Sequence, residues 1–290
     1  MKPTSPFKLA YLVDLGAFPI DDPTSVSYIE AVDGARAGLR AEGCAVLSGF
    51  VRAEAVDLLN DEVLERKHAT HYSTQVINPY FHTAANPDYP AEHPVNTFIE
   101  RTSGFIPGDA WDRGCATDTL FQSPEMARFL ADCLEVPDLY CYDDPLARLV
   151  TNVCDPGQQL TWHFDTNEFT ITVLVQPADE GGVFEYAPGI RSAADEGFDA
   201  IADVLAGGRE GVRTLDLRPG DLQIFMGRFS MHRVTRVGET SRPRHTTILA
   251  YTPEPGVIGR VERTRQLFGR VLPAHEHAEQ ERIRSDALLD

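Results

Sequence analysis

The rhythm of apolar and polar positions changes near residue 146. Before it, apolar residues recur at helical spacing in SVSYIEAVDGARAGLRAE (Ser25–Glu42) and AEAVDLLNDEVLERK (Ala53–Lys67), and again over Ser123–Leu134. The first segment stops before Gly43, a residue suited to the left-handed cap of a helix C-terminus. Between the first two, CAVLSGF reads as a short strand. Ile77 to Trp111 shows no clear period and is rich in Pro, Asn, Asp and His, yet its aromatic residues argue for an ordered lid. From Leu146 onward the period is two. LARLVTNV, QLTWHFD, FTITVLVQP, GGVFEYAPG, VRTLDLRPG, DLQIFMG, MHRVTRVG and RHTTILAYT are short runs broken by Gly, Pro, Asp and Asn turns. One helical pattern, Ser192–Ala206, interrupts them, and the paired glycines at Gly181-Gly182 and Gly207-Gly208 read as turns. Regular short strands predict an antiparallel barrel or jelly roll, mainly β with flanking α-helices. No repeat or linker divides the chain, so the expectation is one domain over 1–290. Within it, 1–145 is a mostly helical supporting region and lid, 146–255 the jelly-roll core and 256–290 a C-terminal helical segment.

Composition narrows the partners. The 290-residue chain carries a formal charge of -18, which repels phosphate backbones and anionic lipid surfaces. Neither nucleic acid nor membrane is an expected partner. No apolar stretch has the length of a membrane span, and MKPTSPFKLAYLVDLG lacks the apolar core of a secretory signal, so a cytoplasmic protein is expected, as monomer or homodimer. The five cysteines, Cys44, Cys115, Cys133, Cys141 and Cys154, include no CxxC pair and read as buried free thiols. No nucleophile elbow, Walker loop or Rossmann glycine pattern is present.

The chemistry concentrates in LTWHFDTNEFTITVLVQ. His163 and Asp165 are two residues apart next to a β-branched run, and in extended chain residues i and i+2 point the same way. A further imidazole, His232, lies about seventy residues on, beside another alternating stretch. Taken alone, His163 reads equally as a satisfied core histidine and Asp165 as a turn residue. Together, two imidazoles and one carboxylate form the donor set that suits ferrous iron and leaves positions open for O2 and a substrate. A 2-oxo acid chelating such an ion needs a cation for its far carboxylate, and arginine's fork meets that need. Arg244 opens the last strand, with Thr246 on the same face. Arg242 shares their parity and is the alternative, although an exposed edge arginine is the simpler account of it.

These residues resemble the Fe(II)/2-oxoglutarate-dependent oxygenases, whose core is a double-stranded β-helix of the jelly-roll, cupin-like kind. The match runs over about Leu146–Pro253: His-x-Asp at His163 and Asp165, the distal His232 inside HRVT, and Arg244-His245-Thr246 in place of Arg-x-Ser. The resemblance implies metal ligands His163, Asp165 and His232, a 2-oxoglutarate site at Arg244 and Thr246, and Fe(II), 2-oxoglutarate and O2 as cofactors. It implies hydroxylation of an unactivated C–H bond with release of succinate and CO2. Related halogenases carry Gly or Ala at the carboxylate position so that chloride can bind, and the presence of Asp165 argues against that outcome. WHFDTNEFTITVLVQ is similar to the branch acting on free amino acids, which points to a small polar metabolite, an amino acid or derivative. Arg148, Asn152, Trp162, Asn167 and Glu168, with Thr151, are the candidate substrate contacts. Tyr80, Phe81, His82, Arg101 and Trp111 are candidate lid residues that would exclude water.

Two other outcomes stay open: desaturation or oxidative cyclisation on the same scaffold, and a cupin-like metal-binding module without turnover. The module would have no use for Arg244. His68 and His71 read as caps near a helix end, His275 and His277 as solvated residues of a charged helix, and His245 as facing away from Arg244.

Overall fold

The computed structural model describes residues 7–281, 288 and 289. Two antiparallel sheets face each other. The larger has seven strands in the order Cys44–Leu47, Leu222–Phe225, Thr170–Gln176, Arg244–Leu249, Leu149–Cys154, Gly104–Ile106 and His71–Tyr72. The smaller has four, in the order Arg213–Leu215, Phe184–Ala187, Met231–Val234 and Leu160–His163. From Leu149 to Leu249 the chain crosses between the two sheets at every step except Phe184–Ala187 to Arg213–Leu215, which stay together in the smaller one, the crossing pattern of a jelly roll.

Period-two alternation explains what each face of the larger sheet does. On Thr170–Gln176, Ile171, Val173 and Val175 point outward into the main hydrophobic cluster, whereas Thr170 and Thr172 line the interior. On Leu222–Phe225, Leu222 and Ile224 go outward while Gln223 and Phe225 go inward. The outward face is covered by the helices Val26–Glu42, Ala53–Arg66 and Pro124–Leu134, whose Val32, Val56, Leu59, Val63, Phe129 and Leu130 join the same cluster. The cluster is large and contiguous, and it backs the sheet on the side away from the site.

The helix boundaries follow their caps. Ser25 accepts from the Tyr28 amide at the start of Val26–Glu42, and Gly43 closes it with φ 61°. Ser123 caps Pro124–Leu134 in the same manner. One expected helix is shorter than its pattern. Ser192–Ala206 is helical only over Phe198–Leu205, because Ser192 and Asp195 bridge in a turn, the Asp195 carboxylate accepts from the Gly197 amide, and Gly197 stands at φ 67°. At the C-terminal end, Val261–Phe268 and Pro273–Glu281 are helices, while 282–287 and 290 of the expected helical segment lie outside the described residues. His275 overturns the solvated reading. It is fully buried, and its Nε2 lies 3.1 and 3.0 Å from the Asp144 carboxylate oxygens, which also accept from the amides of Leu146, Ala147 and Gly259. Three of the five cysteines are buried, while Cys115 and Cys141 are partly exposed.

Candidate metal centre and acid-binding pocket

His163 ends one strand of the smaller sheet and His232 sits on the next, directly opposite it in register. Their rings lie 4.1 Å apart. Asp165 follows the first strand after one intervening residue, as its parity requires. Its Oδ1 lies 3.9 Å from His163 Nε2 and 3.5 Å from His232 Nε2. Candidate ligand atoms of all three residues fall within 4.8 Å of one another.

Backbone carbonyls orient both imidazoles. His163 Nδ1 lies 2.7 Å from the Thr161 carbonyl and His232 Nδ1 lies 3.0 Å from the Ser230 carbonyl, so each Nδ1 donates and each Nε2 lone pair faces the common point. Burial, then the neighbouring His232, pushes the His163 imidazole well below its ordinary pKa and keeps it neutral. Burial pulls Asp165 upward, but the neighbouring imidazole of His232, then that of His163 and the Thr170 hydroxyl, outweigh it and hold the carboxyl below its ordinary range. Two imidazole nitrogens and one carboxylate oxygen fit a borderline divalent cation with open positions.

The triad opens into a cavity of about 300 Å³ between the sheets. Across it, on the larger sheet, stands Arg244, buried, its guanidinium donating to Thr246 Oγ1 at 2.5 Å. Among the described residues no carboxylate pairs with it, and burial lowers its pKa. A buried guanidinium without an anion is costly unless a ligand supplies one. Arg242, the alternative, is exposed and paired with Asp179 at 3.0 Å, outside the cavity.

The expected substrate contacts divide. Asn152 and Asn167 line the cavity. Arg148 does not. It is buried against Asp118 at 2.8 Å on the far side of its strand. Trp162, adjacent to His163 in an extended strand, points to the opposite face beneath Arg233 at 4.7 Å, and Thr151 turns outward to Thr247 at 3.2 Å. Glu168 is also absent from the cavity wall, where the only acid among the described residues is Asp165. Among the described residues four arginines line it: Arg228, Arg244, Arg260 and Arg263. The last two, with Leu267 and Phe268, belong to the C-terminal helix region that the sequence reading left out of the site.

Of the lid candidates only Phe81 lines the cavity. The Asn78 side chain accepts from the amides of Tyr80 and His82 at 3.0 and 2.8 Å and winds this turn so tightly that Phe81 takes φ 64°. A bulky residue there stores about 1–2 kcal/mol of strain. The result is a phenyl ring set edge-on to His163, 5.1 Å between centroids. Tyr80 packs instead on Phe164 at 5.6 Å, His82 remains outside the cavity, and Trp111 belongs to the core beneath Arg66. Arg101 is fully buried behind the wall, its guanidinium 5.9 Å from the Phe81 ring and 5.6 Å from the Phe105 ring. It donates to Ser73 Oγ and the Gln266 carbonyl, while Nε and Nη1 have no partner, and burial lowers its pKa to about 10. His245 faces away from Arg244 as expected, 2.9 Å from Asn60 Oδ1.

The fold is similar to that of a 2OG-Fe(II) oxygenase family oxidoreductase from Burkholderia pseudomallei, at 13% identity over 77% of this chain and 91% of that one, TM-score 0.50. It is also similar to the non-heme alpha ketoglutarate dependent epimerase SnoN from nogalamycin biosynthesis, at 15% identity over 77% of this chain and 83% of that one, TM-score 0.52. At such identities the likeness is one of fold, a jelly-roll core with flanking helices. No curated protein matches the chain. The family model described as HalD, Halogenase D, matches residues 99–255, more than half of the sequence and a span that includes the triad and Arg244, and the chain belongs to that family.

Proposed function

We propose that the protein is a non-haem Fe(II)/2-oxoglutarate-dependent dioxygenase that hydroxylates an unactivated C–H bond of a small, carboxylate-bearing metabolite, a free amino acid or close derivative. The observation that carries the reading is the pairing of a triad of two imidazoles and one carboxylate on one sheet with a buried guanidinium that meets no carboxylate among the described residues on the other. Ferrous iron held by His163, Asp165 and His232 would couple O2 activation to decarboxylation of 2-oxoglutarate, giving succinate, CO2 and the oxidising power to cleave such a bond.

The chain's own residues do the rest. Arg244 and Thr246 grip the far carboxylate of the diacid with charge-assisted hydrogen bonds. Phe81, Phe105, Phe169 and Phe268 keep the interior dry. Asn167, two residues beyond Asp165, and Asn152, opposite Thr246 in register on the larger sheet, supply neutral hydrogen-bonding groups to the cavity. Halogenation, the activity in the family's name, calls for a free ligand position where Asp165 stands, which is why hydroxylation is the preferred outcome.

The test is a purified protein mixed anaerobically with Fe(II) and 2-oxoglutarate, then aired with a panel of amino acids. A weak visible charge-transfer band, substrate-stimulated succinate and a product heavier by one oxygen are expected. Loss of two hydrogens from the product would instead establish desaturation or cyclisation. A colourless mixture without affinity for 2-oxoglutarate would leave a cupin-like binding module.

A further inference from the structure

The turn that joins the two strands Leu222–Phe225 and Met231–Val234 passes directly over Asp165. The Gly227 carbonyl accepts from the Asp165 amide at 3.1 Å, which ties the two segments backbone to backbone. The Cα of Gly227 then faces the carboxylate so closely that a Cβ built there would lie 2.0 Å from Asp165 Oδ2, 2.7 Å from its Cγ and 3.0 Å from its Cβ. No side chain and this carboxylate occupy the space together. On its other side Oδ2 accepts from Thr170 Oγ1 at 2.7 Å. One carboxylate oxygen is therefore walled in by a bare glycine and a hydroxyl, and Oδ1 is the oxygen left to face the two imidazoles.

We propose that Gly227 is a positioning residue: the missing side chain at 227 is the space that holds the Asp165 carboxylate in the triad with a single oxygen presented. Sterics make the two positions interdependent. A carboxylate at 165 demands glycine at 227, and the demand relaxes as the side chain at 165 shrinks. The inference rests on the metal reading above only for its consequence, that losing the space costs metal affinity. The contact between the two residues stands without it.

The experiment is a set of cycles in the full chain. Gly227→Ala is introduced beside Asp165, Asp165→Ala and Asp165→Gly, and each protein is measured metal-free by thermal midpoint and then with Co(II) by its visible d–d absorption. Gly227→Ala should lower the metal-free midpoint by several degrees beside Asp165, less beside Asp165→Ala, and by no more than a degree or two beside Asp165→Gly. Co(II) affinity should fall at least tenfold in Gly227→Ala, matching Asp165→Gly, with less than twofold further loss in the double variant. If Gly227→Ala alone fails to fold while its pair with Asp165→Gly folds, the inference is supported by that rescue. Equal midpoint shifts in all three backgrounds, or failure of every Gly227→Ala protein to fold, would overturn it. Unchanged Co(II) affinity in Asp165→Gly, measured without chloride, is the separate result that removes Asp165 from the ligand set, and the metal-free cycle still decides the positioning role.

Discussion

The two sheets that enclose the cavity carry opposite chemistry. The smaller sheet presents lone pairs: His163 and His232 on adjacent, registered strands and Asp165 just beyond, with backbone carbonyls of Thr161 and Ser230 setting the tautomers. The larger sheet presents a cation, Arg244, packed beside Thr246. Metal donors must converge on one point, which neighbouring strands do through register alone. A carboxylate-binding cation has to stay clear of a metal of the same charge sign, and the opposite wall of a barrel provides that separation. Division of labour between sheets lets each half be perturbed alone.

The largest effect is expected on the donor sheet. Asp165→Ala should cut 2-oxoglutarate-dependent succinate release by about a thousandfold or more, since metal catalysis contributes several kcal/mol. Coupled turnover at the wild-type rate would show that the carboxylate is no ligand. On the opposite sheet, if Arg244 holds the far carboxylate as proposed, Arg244→Met would remove one partner of a buried ion pair, a loss of about 2–5 kcal/mol, so KM for 2-oxoglutarate should rise about 30-fold or more. Co(II) affinity should stay at its wild-type value, and a parallel loss of both would break the division between sheets. Behind the wall, Arg101→Met should raise KM for the substrate by about tenfold through the lost attraction for its negative group, with KM for 2-oxoglutarate unchanged. A shift in thermal midpoint alone would make Arg101 a packing residue. Thr246→Val deletes one hydrogen bond near a charge, worth about 1–1.5 kcal/mol, and should raise KM for 2-oxoglutarate about tenfold or less.

The smallest effect lies outside the cavity. Burial, then Lys67, lowers His245 from 6.5 to about 4. Its folded pKa lies below its unfolded one, so its contribution to stability is complete above pH 6.5 and is lost as pH falls through about 4. A metal-free thermal scan should decline over that window, and His245→Gln should flatten the decline. An unaltered slope would assign the decline to other groups.

Legibility varied with the range of the interaction. Strand parity placed His163 with Asp165 and separated Arg244 from His245, because alternation is a local property of extended chain. The same rule disqualifies Trp162, the immediate neighbour of His163, which indeed turns to the other face. Parity alone did not separate Arg242 from Arg244. That needed the Asp179 carboxylate, which pairs with Arg242 outside the cavity. Arg148 was misplaced for a related reason, since its partner Asp118 comes from a helix 30 residues away in sequence. Phe81 was one of several aromatic residues in an aperiodic stretch, and the Asn78 turn that aims it at His163 leaves no periodic trace.

By itself, then, the order of residues determined the alternating strands, the capped helices, the donor types and the pairing of His163 with Asp165, all of which depend on contacts within a few positions. Tertiary structure alone decided that His232 meets them, that Arg244 faces them across a dry cavity, that Arg228, Arg260 and Arg263 close the wall, that His275 is buried on Asp144, and that Gly227 must be bare. Those are contacts between segments tens of residues or more apart, and burial, register and close approach come into being only when the sheets pack.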